Sequence, residues 1–283
     1  MESIRSVAFV VNVSKSGALE LAEDLAKIAT AAGTRTEVLT SFPLESSALI
    51  GYDLCCVIGG DGTLLGVLDA VLASESIVLG VNMGKLGFLA TLNPAEAADN
   101  LATLIRGHFE VHKRSVLSCQ VGDEAPVYAL NDIVIKENQV NSLARLKVLA
   151  NGDAVSEYHC DGLIIATPTG STAYNLSAGG PIISPEVQAM VMTPICPHTL
   201  GNRSVIFDNT TEIQVQDLQA ASDLSLVMDG RTHIRKPGSS SLTIKVAENA
   251  FCLMQSPSHS HFAIVRDKLH WGAPTIRTAM DSV

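Results

Sequence analysis

The sequence lacks several features that would assign it to a membrane or nucleic-acid-binding class. It has no run of 18 uninterrupted apolar residues, and the stretch SVAFVVNV near the N-terminus is too short for the core of a signal peptide. It has no basic run with interleaved aromatic residues, and its 29 acidic residues outnumber its 19 basic ones. We therefore expect a cytoplasmic protein that binds neither a membrane nor nucleic acid.

Metal-binding and disulfide patterns are also missing. The six cysteines include no CxxC pair, and the eight histidines include no HExxH motif. The sequence therefore indicates neither a zinc site nor a disulfide framework. We expect free thiols in a reducing compartment, and we assign no side chain as a metal ligand.

The pattern of apolar residues divides the 283-residue chain into two parts. Over residues 1–110, strand-like runs alternate with helical patterns such as ALELAEDLAKIATAAG, which predicts a Rossmann-like α/β domain with a parallel sheet. Over residues 111–261 the runs are short and separated by turn signals such as Asn151-Gly152, which predicts a β-rich domain, a β-sandwich. We expect the tail, residues 262–283, to pack back onto the first domain.

The stretch VIGGDGTLLG, residues 57–66, places Asp61 among three glycines between a strand and a helix. Such a turn presents backbone N–H groups to phosphate, so Gly60, Gly62 and Thr63 are candidate phosphate-binding residues. The lysine of the Walker A loop is absent, and the glycines form GxGxxxG rather than the dinucleotide pattern GxGxxG. Asp61 either caps the helix or acts as a general base or metal-positioning group.

A second motif, DGLIIATPTGSTAYNLSAGGPI at residues 161–182, joins an apolar strand to a turn rich in hydroxyl groups. The hydroxyls lie between Asp161 and Tyr174. Hydroxyl groups, a carboxylate and an aromatic ring are the groups that hold a base and a ribose. The alternative is a surface loop that is merely rich in turn-forming residues.

Four stretches together resemble the NAD kinase family in order and spacing: GGDGT at 59–63, GVNMGKLGFL at 80–89, LNDIVI at 130–135 and the motif at 161–182. GGDGT alone is shared with lipid kinases of the diacylglycerol kinase-like superfamily, whereas TPTGSTAY is specific to the NAD kinase branch. The resemblance implies transfer of the terminal phosphate of ATP, or of polyphosphate, to the 2′-hydroxyl of the adenosine ribose of NAD. It also implies magnesium, and a homodimer or homotetramer with NAD sites shared between subunits.

The resemblance assigns roles to individual residues. Asp61 would be the catalytic base, because a ribose hydroxyl is a poor nucleophile and a positioned carboxylate typically contributes about 10²–10⁴-fold. Asp161 would reach the nicotinamide end of NAD across a subunit boundary. The phosphate-binding residues would be Gly60, Gly62, Thr63 and Lys85. The remaining NAD-binding residues would be Asn131, Asp132, Thr169, Thr172, Ala173 and Tyr174.

Two positions depart from the family pattern, and several alternatives stay open. Asp132 stands where the family has glutamate, and Arg231 stands where a polar neutral residue is expected. The sequence does not distinguish ATP from polyphosphate, NAD from NADH, or a dimer from a tetramer, and it assigns no role to His198. A regulatory NAD(P)-binding module without turnover and a lipid kinase of the same superfamily are the alternative functions. A dehydrogenase is disfavoured because the glycine turn follows the third strand rather than the first.

Overall fold

The first hundred residues form a parallel β-sheet covered by helices. The computed structural model describes residues 3–84, 87–90, 92–139, 142–199, 201–219, 223–235 (232–235 as backbone only), 241–255 and 260–271. Strands β1 (Ser6–Val11) and β3 (Leu54–Gly59) are buried along their whole length, as expected for apolar strands covered on both faces. β2 (Arg35–Leu39) and β4 (Ile77–Asn82) pair with them in parallel.

Helices cover both faces of this sheet. One face packs against α1 (Ala18–Ala31) and α4 (Pro94–Ile105), and the other packs against α2 (Asp61–Leu65) and α3 (Leu68–Ser74). The single helix predicted after Gly62 is thus two short helices, α2 and α3. They are separated near Gly66, where the ring of Phe42 occupies the space that a Cβ would need.

Two later strands complete the first sheet. β5 (Glu110–Arg114) forms its edge, and β18 (Phe251–Gln255) lies between β4 and β5. The chain therefore returns to the first sheet before residue 261, whereas the sequence placed residues 111–261, which include β18 and most of β5, in the second domain. The alternating pattern of β18 predicts a strand but not the sheet that it joins. α6 (His261–Lys268) follows, with Ile264 and Val265 buried, and residues 272–283 of the tail lie outside the described part.

The remaining strands form two six-stranded sheets, one ordered β10-β9-β14-β17-β6-β7 and the other β13-β12-β11-β8-β15-β16. One hydrophobic cluster combines side chains from both, including Leu146, Ile165 and Met192. The predicted order, a parallel-sheet domain followed by a β-rich domain, is confirmed. The strands are β6 (Leu117–Val121), β7 (Val127–Ala129), β8 (Asp132–Glu137), β9 (Ala144–Ala150), β10 (Asp153–Cys160), β11 (Gly162–Ala166), β12 (Ala189–Ile195), β13 (Val205–Asp208), β14 (Ile213–Asp217), β15 (Leu224–Met228), β16 (Arg231–Arg235) and β17 (Leu242–Val246).

The predicted turn at Asn151-Gly152 connects β9 and β10 as a hairpin. Both residues have positive φ, 50° and 85°, as a two-residue type I′ turn requires. No helix in the described ranges combines the length and hydropathy needed to cross a lipid bilayer.

Candidate active site

The glycine turn joins the end of β3 to the start of α2. Thr63 is buried, and its hydroxyl accepts a hydrogen bond from the side-chain amide of Asn12 at 3.1 Å. The Thr63 N–H donates to the carbonyl of Gly60 at 3.0 Å. A Cβ at Gly59 would collide with the Thr63 side chain. Thr63 therefore supports the turn from inside, while Gly62 is exposed with open space beside it.

The Asp61 carboxylate is held by the loop at residues 87–90. Its Oδ2 accepts the N–H of Phe88 at 2.8 Å, and its Oδ1 accepts those of Leu89 and Ala90 at 3.2 and 3.0 Å. A Cβ at Gly87 would collide with this carboxylate. The three N–H groups occupy three of the about four lone-pair positions of the Asp61 carboxylate. The remaining position is on Oδ2. Asp61 thus binds a separate loop rather than capping its own helix.

A cavity of about 520 Å³ brings together four of the predicted NAD-binding residues: Asn131, Asp132, Ala173 and Tyr174. Its volume lies within the usual range for small-molecule sites. Asp132, Val134 and Lys136 line it from β8, alternating with the core residues Ile133 and Ile135. The cavity therefore lies on the face of this sheet that points away from the shared core.

Asp229, which also lines the cavity, holds the main chain of its neighbours. Its carboxylate accepts the N–H groups of Leu130, Asn131 and Asp132 at 2.9, 2.7 and 3.1 Å. Burial, followed by the nearby Asp229 carboxylate, raises the pKa of Asp132 to about 7, against the lowering effect of the Tyr174 N–H. Burial also raises the pKa of Asp229, although these three N–H groups and Arg231 lower it. The cavity thus contains two close carboxyl groups, one of which titrates near neutral pH.

The hydroxyl-rich turn supports this cavity from behind. Thr167 donates to the carbonyl of Leu130 at 2.7 Å and accepts the N–H of Gly170 at 3.0 Å. A Cβ at Gly170 would collide with the carbonyl of Asn131. Thr172 donates to the carbonyl of Thr169 at 3.2 Å. The turn thereby positions Ala173 and Tyr174 at the cavity, and neither Thr169 nor Thr172 is among the described residues that line it.

The cavity adjoins the glycine turn. Leu130, next to the cavity residue Asn131, packs in one cluster with Leu64 of α2 and Leu89 of the Asp61-binding loop. Arg231 follows the cavity residue Gly230 and donates from Nη2 to the carbonyl of Leu65 at 3.1 Å. The segments that line the cavity therefore contact the helix that follows the glycine turn.

Two predicted site residues stand apart from this arrangement. Asp161 is exposed at the start of β11, whereas the hydroxyl-rich turn follows the other end of that strand. Strand alternation puts Asp161 on the face of Leu163, opposite to the cavity. Lys85 lies outside the described residues.

The Asp229 carboxylate and the main-chain N–H groups of residues 88–90 shape the candidate site, and sequence reasoning assigned no role to either, although it named the stretch GVNMGKLGFL at 80–89. The signals for them were the Asp-Gly pair in VMDGR and the second glycine of GKLGF. Each contacts a segment distant in sequence, so neither signal identified its partner.

Comparison with known proteins follows this division of the chain. The family model for the ATP-NAD kinase N-terminal domain matches residues 44–109, and that for the ATP-NAD kinase C-terminal domain matches residues 130–256. The NAD kinase of Magnetococcus marinus is 38% identical over 260 residues, which cover 90% of this chain and 85% of that protein. The NAD kinase of Syntrophotalea carbinolica is 40% identical over 224 residues, which cover 78% and 79% of the two chains.

Two solved structures share the fold. Yeast NADH kinase complexed with NADH aligns with a TM-score of 0.81 at 23% identity, covering 98% of this chain and 91% of the yeast chain. An NAD kinase from Archaeoglobus fulgidus in complex with ATP aligns with a TM-score of 0.77 at 22% identity, covering 94% of this chain and 98% of the archaeal one. At these identities the alignments support the fold rather than individual residues.

Proposed function

The chain belongs to the NAD kinase family, and we propose that Asp61 is the catalytic base of its reaction. As an NAD kinase, it transfers the terminal phosphate of ATP to the 2′-hydroxyl of the adenosine ribose of NAD, producing NADP and ADP. The observation that carries the proposal is the Asp61 carboxylate, held by three amides at the glycine turn beside the cavity.

In the proposed step, the ribose hydroxyl gives its proton to Oδ2 of Asp61, the oxygen with the remaining lone-pair position. The hydroxyl oxygen then forms a bond to the terminal phosphorus of ATP, and the bond from that phosphorus to the leaving ADP breaks. Alignment and neutralisation of phosphate charge account for most of the catalysis in such transfers. A fixed carboxylate contributes the remaining acid–base part.

We infer that the cavity binds the adenosine part of NAD. The Tyr174 side chain, 42% exposed at its rim, offers a ring face to the adenine base. Asn131 and Asp132 offer hydrogen-bonding groups to the ribose. The bound NADH in the yeast relative supports a dinucleotide in this fold. Direct contacts of Thr169 and Thr172 with NAD stay predictions, and the described residues that line the cavity include Ala173 and Tyr174 but neither threonine.

We propose that the phosphates of ATP bind along the main chain of Gly60 and Gly62, with Thr63 supporting the turn. The ATP bound to the archaeal relative supports this donor. Inorganic polyphosphate would present the same chemical groups to the turn, so its use as a second donor stays a prediction. We also propose that Lys85 binds phosphate, as the resemblance to the family implies.

The family also implies magnesium. Within the described residues, no group of three or more His, Cys, Asp or Glu side chains could hold a metal ion. Asp61 already has three lone-pair positions filled by amides, so the donors at the turn fit an ion held chiefly by phosphate oxygens and water. We propose that magnesium enters with ATP and neutralises charge on its phosphates.

We further propose an oligomer in which Asp161 of one copy contacts NAD bound to another copy. Asp161 points away from the cavity of its own chain, which supports a role at a neighbouring site.

A β-sandwich for the second domain is supported by the cluster common to its two sheets. A cytoplasmic location is supported by the free cysteines of the chain.

The test of Asp61 is the rate of NADP formation from NAD, ATP and magnesium. We expect Asp61→Asn to lower kcat by about 10²–10⁴-fold, while the protein stays folded with an unfolding temperature lowered only by the loss of one charged hydrogen bond in the loop. Asp99→Asn, the same substitution on the exposed face of α4, is the control and should retain wild-type kcat. Turnover by Asp61→Asn within a few-fold of wild type would exclude the proposed role.

A further inference from the structure

The C-terminal helix α6 lies against the loop that holds Asp61. The ring of His261 lies 6.1 Å from the Phe88 ring, centroid to centroid. Nζ of Lys268 lies 5.1 Å from the centroid of the same ring, within the range of a cation–π interaction. The main-chain N–H of Phe88 is the one that donates to Oδ2 of Asp61. A direct chain of contacts therefore leads from α6 to the carboxylate.

We propose that α6 is a positioning element of the active site, with Lys268 acting through Phe88 on Asp61. This inference rests on the proposed role of Asp61 as the base. Phe88 and Lys268 touch neither substrate in this proposal. They determine the orientation of the oxygen that receives the proton.

The spacing on α6 suits this role. His261, Ile264, Val265 and Lys268 occupy positions i, i+3, i+4 and i+7, which form one face of a helix. The two central residues of this face are buried and anchor the helix. The two outer residues contact Phe88. The helix thus presents both of its contacts with the ring from an anchored face.

The three amide donors to Asp61 are supported in different ways. Leu89 and Ala90 are buried in the hydrophobic core beneath the loop, and both donate to Oδ1. Phe88 donates to Oδ2, and its half-buried ring contacts α6. The core therefore positions one carboxylate oxygen, and α6 positions the other. The second oxygen is the one with a lone-pair position left for the ribose hydroxyl.

The test compares two charge-removing substitutions on the same helix. Lys268→Met removes the cation above Phe88, and Arg266→Met removes an equal charge from an exposed position in the same last turn of α6. We expect Lys268→Met to lower kcat about two- to five-fold. This is the change in rate that follows if the free energy of one exposed cation–π contact is lost from the transition state. The KM values for NAD and ATP should not change, and the unfolding temperature should fall by no more than about 4 °C, the shift that loss of one such contact produces.

Two further variants separate positioning from general stability. Lys268→Arg keeps a cation over the ring and should restore kcat. Phe88→Leu keeps an apolar side chain but removes the aromatic face, and it should lower kcat as Lys268→Met does. Arg266→Met should match wild type. Equal kcat values for Lys268→Met and Arg266→Met would overturn the proposal.

The double variant of Asp61→Asn and Lys268→Met tests whether the effect passes through Asp61. We expect it to be no slower than Asp61→Asn alone, and an additional loss would overturn the proposed route. If Asp61→Asn is impaired but Lys268→Met is not, only the role of α6 fails. If Asp61→Asn keeps wild-type turnover, the proposed base fails, and the role of α6 fails with it.

Discussion

Asp229 Oδ1 accepts the main-chain N–H of Asn131 at 2.7 Å, across 98 residues of sequence. The same carboxylate also accepts the N–H groups of Leu130 and Asp132, so one side chain orders the segment that lines the cavity. Asp229 has a φ of 47°, a left-handed conformation that asparagine and aspartate adopt more readily than other non-glycine residues. Both its backbone and its side chain therefore suit this position.

We predict that Asp229→Asn raises the KM for NAD about tenfold while the KM for ATP stays near wild type. Asparagine tolerates the backbone conformation but offers one acceptor oxygen in place of two, so the three N–H groups are no longer all satisfied. Loss of one such hydrogen bond to a charged group costs about 1.5–3 kcal/mol. Steady-state kinetics with each substrate varied in turn measures the effect, and equal changes in both KM values would contradict it.

The buried Asp132 predicts a pH dependence of stability. Its pKa is about 7 in the folded chain, against an ordinary value of 3.8. Between about pH 4 and pH 7 the folded state therefore keeps a proton that the unfolded state has lost. This group stabilises the fold fully below that window, and its contribution is lost as the pH rises through 7.

We predict that Asp132→Asn gains stability relative to wild type between pH 5 and pH 8, by on the order of 2 kcal/mol. Urea unfolding of both proteins at the two pH values measures the difference, in which titrating groups distant from Asp132 cancel and the neighbouring Asp229 contributes as part of the pair. Asp99→Asn, at an exposed position, should show no such trend. A difference between Asp132→Asn and wild type that is the same at both pH values would disprove the assignment.

Sequence patterns predicted the local features of this molecule and missed most of the distant ones. β1, β3 and the turn after β3 follow from apolar runs and glycines within a few residues of one another. β18 lies between β4 and β5. Its own five residues predict a strand, but they do not indicate which of the three sheets has an unpaired strand for it to join.

The candidate site shows the same limit. Asp61 and Tyr174 were identified from their motifs, because those motifs carry the chemistry themselves. The partners of Asp61 lie 27 to 29 residues further along the chain, and the interaction uses backbone N–H groups that every residue type except proline possesses. A sequence motif therefore identifies the carboxylate but not the loop that orients it.

Tyr174 provides a test of adenine binding in the cavity. Tyr174→Ala removes the ring face, and stacking of a base on an aromatic side chain contributes about 1–3 kcal/mol, so we predict that the KM for NAD rises about tenfold or more. Tyr174→Phe keeps the ring and should stay within about twofold of wild type. Isothermal titration with NAD in the absence of ATP measures the same difference in Kd. Equal affinities for the two variants would argue against stacking on Tyr174.

Gly87 provides the sharpest test of the loop that holds Asp61. A Cβ at residue 87 would collide with the Asp61 carboxylate, whereas a Cβ at Gly84, three positions earlier in the sequence, would lie 3.7 Å from its nearest neighbour, the Asn82 side-chain oxygen. We predict that Gly87→Ala lowers kcat at least about 100-fold by displacing the proposed base, while Gly84→Ala remains near wild type. Thermal unfolding of both variants checks that the fold is intact. If Gly87→Ala is folded and fully active, the carboxylate does not need this position for catalysis.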